Sequence, residues 1–447
     1  MECEKCGEWS LMDKMNKKVI SRVVGGLRGE IEIPGDKSVS HRSVMLAGLC
    51  DTPVRITNFL HAADCLSTAA AMEALGVSVQ WLDDTTLTVT GRGFDGLKEP
   101  EGILDAGDSG TMLRLMMGLL APQPFLSTFT GDAALYRRPM GRVIAPLSEM
   151  GARIAGRAGG KYLPITILPA ERPLRGIKYK MPMASAQVKS AILLAGLRAE
   201  GETTVIEPFP SRDHTERMLR AFGAEIRQEG TKVSCRAVKK LSAPEAIDVP
   251  GDISSAAFWL VAASIIEGSD LLLKGVGVNP TRTGVLDVLQ DMGANIELLN
   301  ERESGGEPIA DIRVRSSRLH GVSFGGAIIP RLIDEIPILA VAALFADVDT
   351  KITGAEELRV KETDRLHAVV VEYNKLSPCV EELEDGLVIH GGAQKIRHAE
   401  CFSYDDHRMA MSLAVAGAAG DGVSIGNPEC VDISYPSFYR TLAALHK

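Results

Sequence analysis

Six stretches of small and apolar residues, each headed by a Ser or an Asp, recur along this chain at a nearly constant spacing. They begin at positions 38, 109, 185, 254, 334 and 405, so consecutive starts lie 71, 76, 69, 80 and 71 residues apart. Beyond its first turn each stretch is apolar on nearly every side, which predicts a helix buried in a core. The spacing therefore predicts a fold built from repeated units.

A second, amphipathic helix follows most of these stretches and ends at a glycine that precedes a strand. The clearest cases end at Gly76, Gly151, Gly223 and Gly293. Glycine suits the position just past a helix, because it adopts left-handed backbone angles without strain. The 447 residues exceed one ordinary core, so we expect six α/β units divided equally between two domains.

Composition excludes several classes of protein. Hydrophobic residues make up 45% of the chain and charged residues 24%, as in ordinary globular proteins. The net charge of −9 provides no basic field to attract nucleic acid or a membrane, so an anionic ligand needs local basic clusters. No apolar run reaches the roughly 20 residues that span a bilayer.

The eight cysteines are scattered, apart from Cys3 and Cys6, which form a lone CxxC pair. Scattered cysteines in apolar contexts are typical of reduced thiols in a cytoplasmic protein, and a single CxxC does not favour zinc. Residues 1–20 mix acidic and basic side chains without an apolar signal core. We expect a disordered N-terminal tail over residues 1–20.

The first buried helix starts in a stretch rich in polar residues, Pro34–Ser43. An alternating run before it, Gly29–Ile33, predicts a strand, and Ser38 is the expected helix cap. Lys37 and Arg42 then lie within the first turns, where free backbone N–H groups suit an anion such as phosphate. From these residues alone, an anion site and a capped core helix with solvated charges remain equally open.

Cations recur in the first turns of the other buried helices, as at Arg114, Lys189 and Arg408. A cation there opposes the helix dipole, and a bound anion offsets that cost. If the six helix starts converge, they form a basic pocket. On a helix, Lys361, Glu362 and Arg365 would share one face, as a surface ion-pair ladder or as a carboxylate tuned for proton transfer.

Several cofactor signatures are absent from the sequence. It contains no GxxxxGK[ST], no HExxH and no paired CxxC motif, and Gly275-Val276-Gly277 lacks the third glycine of a dinucleotide fingerprint. The predicted chemistry is therefore acid/base catalysis with anion binding, without a metal or another cofactor.

Seven ordered motifs resemble those of the 5-enolpyruvylshikimate-3-phosphate synthases, a family of enolpyruvyl transferases. The resemblance runs from about Val23 to Leu445. The motifs are Pro34–Ser38 with His41 and Arg42, Ser109–Thr111 with Arg114, Arg138–Met140, Ser185–Ser190, Ser211–Thr215, Arg359–Arg365, and Asp406–Met411.

The resemblance implies a fold of the α/β (α+β) class, a two-domain inside-out α/β barrel with three βαβαββ units and their buried helices in each domain. One domain is expected over residues 36–250. The other is expected to combine residues 21–35 with 251–447, with hinges near Gly35 and Pro250. The active site is expected in the cleft between the domains, which close over the substrates.

The implied reaction transfers the enolpyruvyl (carboxyvinyl) group of phosphoenolpyruvate to the 5-hydroxyl of shikimate 3-phosphate and releases phosphate through a tetrahedral intermediate. The implied catalytic residues are Lys37, Asp334, Lys361, Glu362 and His407. The implied ligands of shikimate 3-phosphate are Lys37, Ser38, Arg42, Ser185, Ala186, Gln187, Ser211, Arg212, Asp334 and Lys361. The implied ligands of phosphoenolpyruvate are Lys37, Gly110, Arg138, Gln187, Arg365 and Arg408. A cytoplasmic monomer of the shikimate pathway, inhibited by glyphosate, is expected.

Two positions depart from the family pattern, which commonly has Asn at the position of Asp108 and Lys at the position of Glu429. Asp108 is expected to turn away from the anion site or to pair with an Arg. Two alternatives remain open. One is a UDP-N-acetylglucosamine enolpyruvyl transferase, a family whose corresponding loop carries a reactive Cys. The loop Gly131–Arg138 has no Cys, which disfavours this alternative. The other is a non-catalytic phosphometabolite-binding protein.

Overall fold

The computed structural model describes residues 16–392 and 395–445, which form two compact units. The central unit comprises Pro34–Gly251 and Arg302–Ile309. The terminal unit comprises the described residues up to Ile33, Asp252–Glu301, and the described residues from Ala310 onward.

Helices of eight or more residues are named α1 to α12 in chain order. They are α1 (Lys37–Gly48), α2 (Ala63–Ala74), α3 (Gly110–Leu120), α4 (Gly141–Glu149), α5 (Ala186–Gly196), α6 (His214–Ala221), α7 (Ile253–Ile265), α8 (Gly284–Asp291), α9 (Ile336–Leu344), α10 (Arg365–Leu376), α11 (His407–Ala419) and α12 (Phe438–Leu445).

The strands are named β1 to β23 in the same way. They are β1 (Lys17–Ile20), β2 (Arg28–Glu32), β3 (Val54–Thr57), β4 (Ser78–Trp81), β5 (Leu87–Thr90), β6 (Leu104–Asp105), β7 (Ser127–Thr130), β8 (Arg153–Gly156), β9 (Tyr162–Leu168), β10 (Lys178–Lys180), β11 (Glu202–Ile206), β12 (Ile226–Glu229), β13 (Lys232–Arg236), β14 (Ala246–Asp248), β15 (Asp270–Gly277), β16 (Asn295–Ser304), β17 (Glu307–Arg315), β18 (Ser323–Phe324), β19 (Thr350–Ile352), β20 (Val380–Glu382), β21 (Leu387–Ile389), β22 (Glu400–Phe402) and β23 (Val423–Gly426).

Three four-stranded sheets belong to the central unit. Their strand orders are β14-β3-β5-β4, β6-β7-β9-β8 and β10-β11-β13-β12. In each sheet the first pair is parallel, and the two pairs that follow are antiparallel. A parallel pair needs a crossover connection, which α3 supplies between β6 and β7 and α5 between β10 and β11.

The terminal unit has two four-stranded sheets, with the orders β16-β17-β15-β2 and β18-β19-β21-β20, and a three-stranded sheet, β1-β23-β22. Two strands mark where the chain changes unit. β2 precedes α1 in the chain but pairs in parallel with β15, and β14 precedes α7 but pairs in parallel with β3. The chain therefore changes unit directly after β2 and directly after β14.

The six predicted apolar stretches form helices that are buried almost throughout. All nine residues of α9 are buried, and so is every residue of α7 except the last. The other four are α1, α3, α5 and α11, whose buried residues continue through to the final turn. No described helix combines the length and the apolar character needed to cross a membrane.

The predicted helix-ending glycines are confirmed. Gly76, Gly151, Gly223 and Gly293 follow α2, α4, α6 and α8, with φ angles of +87°, +104°, +81° and +86°. Each is in the left-handed region that a residue with a Cβ rarely adopts.

Two buried helices are capped by serines, and the predicted cap of α1 is wrong. The side chains of Ser109 and Ser185 accept hydrogen bonds from the N–H groups of Met112 and Val188, at 3.2 and 3.5 Å. The cap of α1 is Asp36, not Ser38, because the Asp36 carboxylate accepts the N–H of Val39 at 2.8 Å. The helix thus begins two residues earlier than a cap at Ser38 would place it, and Lys37 and Ser38 occupy its first turn.

The expectation of a disordered tail is wrong for Lys17–Ile20. These residues form β1, which pairs antiparallel with β23 from Lys17 opposite Gly426 to Ile20 opposite Val423. Only Ile20 of this strand is buried, so its stabilisation comes mainly from backbone pairing with a distant strand. Residues 1–15, including Cys3 and Cys6, lie outside the described residues. The six described cysteines are buried thiols that form no disulfide bond.

Close backbone contact between α3 and α5 yields a test of the core. A Cβ on Gly118 would overlap the Ala191 carbonyl oxygen and lie 2.6 Å from its Cα. We expect Gly118→Ala to lower the free energy of unfolding by about 3 kcal/mol, the upper range for overpacking. Gly141→Ala is the matched control, since nothing lies within 4 Å of its Cβ position. Equal denaturation midpoints for the two variants would contradict this packing.

Candidate active site

Arg42 is a buried guanidinium held by neutral oxygen atoms of the central unit. It is 5% exposed and donates to Thr215 Oγ1 at 2.7 Å, Ser190 Oγ at 2.9 Å and the Ser38 carbonyl at 2.9 Å. Burial lowers the pKa of Arg42 to about 10, although the charges of Glu216, Asp36 and Glu307 oppose that change. A buried cation without a carboxylate in direct contact is suited to receiving an anion.

Lys37 and His41 extend this cluster along α1. The Lys37 ammonium forms an ion pair with the Asp64 carboxylate of α2 and stays 26% exposed. His41 is completely buried; its Nδ1 lies 2.6 Å from Thr68 Oγ1 and its Nε2 3.5 Å from Ser109 Oγ. The side chain of His41 therefore links α1, α2 and the cap of α3.

Gln187 is fixed in the first turn of α5 by two side chains from α3. Its Oε1 accepts from Arg114 Nη1 at 2.6 Å, and its Nε2 donates to Thr111 Oγ1 at 2.9 Å. Ser185 caps the same helix, and Ala186 is its first residue. The predicted ligands on α5 are thus held in place by the start of α3.

Gly110 lies between two arginines. A Cβ at this position would be 2.8 Å from Arg114 Nη1 and 3.3 Å from Arg138 Cζ, so glycine leaves room that alanine would take. Arg138 Nη1 lies 3.9 Å from Asp108 Oδ1. Asp108, which stands where the family commonly has Asn, thus pairs with an Arg, as one of the two expectations for this residue predicted.

Arg365 is the most buried cation of the terminal unit, at 1% exposure, and it contacts three carboxylates. Its Nε is 2.7 Å from Asp406 Oδ2, its Nη2 is 2.7 Å from Glu362 Oε2, and its Nη1 is 3.3 Å from Asp334 Oδ1. Burial works to lower the pKa of Arg365, but these three negative charges raise it above its usual range. Arg365 therefore remains charged and brings the three carboxylates together.

Two further cations adjoin Asp334. Lys361 Nζ lies 3.5 Å from Asp334 Oδ1, and Arg408 Nη1 donates to the Asp334 carbonyl at 3.3 Å. Arg408 also lies 3.7 Å from the buried carboxylate of Glu335. His407, 5% exposed, is the first residue of α11, whose cap is Asp406. Five predicted residues of the terminal unit thus form one set of contacts around Asp334 and Arg365, and His407 follows Asp406 in the chain.

The prediction that Lys361, Glu362 and Arg365 share a helix face is wrong. A 3₁₀ turn ends at Val360, and α10 begins only at Arg365, after its cap Asp364 accepts the N–H of His367 at 3.1 Å. Asp and Thr before Arg365 favour capping over helix continuation. The contact between Glu362 and Arg365 nevertheless forms across this turn, at 2.7 Å.

The sequence interpretation missed several supporting residues: Asp64, Ser190, Thr215, Glu335 and Asp406 as direct partners of the candidate site. Ser190, Thr215 and Asp406 lie inside the motifs quoted above, so their polar character was visible and only their partners were not. Asp64 and Glu335 act on residues that a sequence pattern does not connect to them.

Glu429, which stands where the family commonly has Lys, contacts a residue that is far away in sequence. Glu429 Oε1 accepts from Asn16 Nδ2 at 2.7 Å, and the N–H of Asn427 donates to the Asn16 carbonyl at 3.2 Å. The carboxylate that replaces the family's common Lys is therefore used, at least in part, to hold the start of the described chain. Among the described residues, no group of three or more His, Cys, Asp and Glu side chains could hold a metal ion.

Comparison with known proteins identifies this fold. The structure of an enolpyruvyl transferase, NikO from Streptomyces tendae, matches with a TM-score of 0.76 over 96% of this chain and 98% of that one, at 19% identity. That similarity shows the fold alone: the two-domain α/β fold of the enolpyruvyl transferases, which confirms the predicted fold class.

Closer similarity identifies the family. The family model for EPSP synthase (3-phosphoshikimate 1-carboxyvinyltransferase) matches residues 22–442. The structure of EPSP synthase from Acinetobacter baumannii is 44% identical, with a TM-score of 0.87 over 96% of this chain and 98% of that one. A 3-phosphoshikimate 1-carboxyvinyltransferase from Desulforudis audaxviator is 54% identical over 421 residues, 94% of this chain and 97% of the relative. The chain belongs to the EPSP synthase family, which confirms the predicted family and its class of enzyme.

The buried imidazole of His41 should make stability depend on pH. Burial lowers the pKa of His41 from 6.5 to about 3, so below pH 6.5 the unfolded chain binds a proton that the folded chain does not. As the pH falls from 6 to 4, this residue should therefore lower the free energy of unfolding by about 1.4 kcal/mol per pH unit. Urea unfolding of the wild type and His41→Gln at several pH values measures it. The stability difference between the two should change with pH by that slope, and a constant difference would contradict the assignment.

Proposed function

We propose that this protein transfers the carboxyvinyl group of phosphoenolpyruvate to the 5-hydroxyl of 3-phosphoshikimate and releases phosphate, in the shikimate pathway to aromatic amino acids. A relative at 54% identity is named for this transferase activity. The observation that carries the proposal is the buried guanidinium of Arg42, which is hydrogen-bonded to neutral oxygens and so has its charge available to an anionic substrate. Both substrates are anions.

The central unit is proposed to bind 3-phosphoshikimate through Ser38, Arg42, Ser185, Ala186, Gln187, Ser211 and Arg212, with Lys37 in contact with both substrates. The start of α5 supports this role, because a helix N-terminus offers backbone N–H groups to an anion. Gln187 is fixed on both sides of its amide, so its orientation is set before a ligand arrives. A site ordered in advance loses less entropy on binding.

Phosphoenolpyruvate is proposed to contact Lys37, Gly110, Arg138, Gln187, Arg365 and Arg408. The open side of Gly110 supports this, because the missing Cβ leaves the Arg138 guanidinium accessible. At Arg365 an incoming carboxylate competes with the residues already there. The bond to Asp334 is longer, at 3.3 Å, than the bond to Glu362, at 2.7 Å, so the ligand should displace Asp334 first.

Displacement of Asp334 from Arg365 would allow Asp334 to act as a base. In the proposed reaction Asp334 accepts the proton of the 5-hydroxyl, and Lys361 holds the same hydroxyl region. The positive charge of Lys361 favours the ionised form of the Asp334 carboxylate, which is the form that accepts a proton. Glu362 delivers a proton to the methylene carbon of phosphoenolpyruvate, which lets the 5-oxygen attack C2 and form the tetrahedral intermediate. Glu362 then removes a methyl proton as phosphate leaves, which restores the vinyl group. His407 donates a hydrogen bond nearby.

Further properties accompany this proposal. The residues proposed here suffice for acid/base addition and elimination, so no cofactor is assigned. The protein is proposed to act as a monomer in the cytoplasm, and its glyphosate sensitivity, expected from Gly110, stays a prediction.

The activity itself is tested by phosphate release. With both phosphoenolpyruvate and 3-phosphoshikimate present, we expect release of one phosphate per 3-phosphoshikimate consumed, and with either substrate alone no release. The physical reason is that the elimination step requires the tetrahedral adduct of both substrates. Binding of both substrates by calorimetry without phosphate release would favour the non-catalytic alternative and would sink the proposal.

Glu362→Gln tests the proton transfer. The amide keeps the size of the side chain but cannot carry the proton, so we expect kcat to fall at least about 100-fold while both substrates still bind. Exposed Glu356, in the preceding 3₁₀ turn, supplies the control, and Glu356→Gln should keep wild-type turnover. If Glu362→Gln retains kcat within threefold, Glu362 is only an ion-pair partner of Arg365.

A further inference from the structure

A short segment between β11 and α6 carries two of the proposed ligands of 3-phosphoshikimate. It runs from Glu207 to Asp213 and includes Ser211 and Arg212. Two prolines flank an exposed Phe209 within it, and a proline has no N–H to donate to a helix or a sheet. Backbone hydrogen bonds hold the ends of the segment, from the Glu207 N–H to the Thr231 carbonyl and from the Arg217 N–H to the Asp213 carbonyl, both at 3.0 Å. Side-chain contacts add to these in setting the conformation of the residues between.

The side chain of Lys189 lies directly beneath this segment. It extends from the first turn of α5 and is 1% exposed, and its ammonium has three oxygen atoms close by. Its Nζ lies 2.7 Å from Glu207 Oε2, 2.7 Å from Glu216 Oε1 and 3.3 Å from the Ser211 carbonyl. Burial works to lower the pKa of Lys189, but the two carboxylates raise it, so the ammonium stays charged.

Glu207 closes the segment into a loop. Its Oε1 accepts the hydroxyl of Ser211, and its Oε2 accepts the N–H of Ser211 at 3.4 Å while also pairing with Lys189. The two ends of the five-residue span from Glu207 to Ser211 are thus joined through one buried carboxylate. The position of Ser211, and with it Arg212, depends on that carboxylate and on the ammonium that holds it.

The same segment brings a second cation towards Arg42. The positive charge of Arg212 contributes to the lowered pKa of Arg42, after the larger effect of burial. Two guanidinium groups that disfavour each other's charge gain when an anion binds between them. Helices α5 and α6 also connect the surroundings of Lys189 with those of Arg42. Ser190, next to Lys189 on α5, and Thr215, next to Glu216 on α6, both contact Arg42.

We propose that Lys189 and Glu207 are positioning residues, which hold Ser211 and Arg212 where they bind the phosphorylated substrate. This inference rests on the proposed function and extends it to residues that do not touch the substrate. Lys189 acts through Glu207, and Glu207 acts through Ser211. The ion pair is a buried polar connection whose removal should loosen one binding segment and leave the reacting groups unchanged.

The charges of Lys189, Glu207 and Glu216 allow the two glutamates to be compared by truncating each one separately. One ammonium faces two carboxylates, so truncating either Glu207 or Glu216 leaves Lys189 with one buried partner and no unpaired charge. Lys189→Ala would instead leave two carboxylates facing each other without their cation, and loss of folding would obscure the result. Glu216 is the matched control, because it is equally buried and pairs with the same ammonium, and its carboxylate has no hydrogen bond to Ser211.

The experiment compares steady-state kinetics of Glu207→Ala, Glu207→Gln and Glu216→Ala. For Glu207→Ala we expect the KM for 3-phosphoshikimate to rise roughly tenfold, the size of one lost charge-assisted hydrogen bond, with kcat and the KM for phosphoenolpyruvate within threefold. Glu207→Gln should recover most of the affinity, because its amide still bonds Ser211 and Lys189. Glu216→Ala leaves the contacts of Ser211 with Glu207 intact and removes a negative charge that acts on Arg42, so it should not raise the KM for 3-phosphoshikimate.

The outcomes separate the possibilities. A rise in the KM for 3-phosphoshikimate that is equal in Glu207→Ala and Glu216→Ala means that the cluster only stabilises the fold, and overturns the proposal. An unchanged KM in Glu207→Ala also overturns it. Thermal unfolding of each variant identifies any that fail to fold, in which case Glu207→Gln against Glu216→Gln gives the same comparison. Wild-type protein without turnover would instead refute the proposed function, while calorimetric binding of 3-phosphoshikimate would still test the positioning role.

Discussion

The structure depends above all on the burial of six apolar helices. A helix that is apolar on every side can expose polar groups only at its ends, so the polar residues of these sequences concentrate in the first turns. Those first turns need partners for their backbone N–H groups, and Asp36, Ser109, Ser185, Asp252 and Asp406 supply them. The same turns carry Lys37, Gln187 and Arg408. Core formation and the placement of the site are therefore two consequences of one constraint.

The buried cations show how the two units differ electrostatically. In the terminal unit Arg365 meets three carboxylates, so its charge is compensated within the protein, and an anion must compete to reach it. In the central unit Arg42 meets neutral oxygens, and a bound anion would complete its environment. This difference supports our proposal that anion binding falls chiefly to the central unit and proton transfer chiefly to the carboxylates around Arg365. Lys189, compensated by Glu207 and Glu216, belongs to neither group and serves the local structure.

Errors in the sequence interpretation share a cause. Ser38 was a reasonable cap, but Asp36 lies closer to the start of the helix and its carboxylate reaches Val39. Lys361 and Glu362 have helical spacing with Arg365, but Asp364 caps the helix after them. β1 has little apolar character, and its pairing with β23, some four hundred residues away, leaves no local signal. Each error concerns competition between neighbouring polar residues or pairing between distant segments, which a local pattern does not contain.

The sequence by itself determined the sixfold repeat, the buried helices, the glycines that end the second helices and the motifs that define the family. These follow from periodicity and backbone conformation, which are local properties of the chain. The tertiary structure decided which charges are compensated: that Asp64 pairs with Lys37, that Asp108 lies near Arg138, and that Glu429 contacts Asn16. It did so because the energy of a charge depends on its distance to other charges and on its burial, and folding alone sets both.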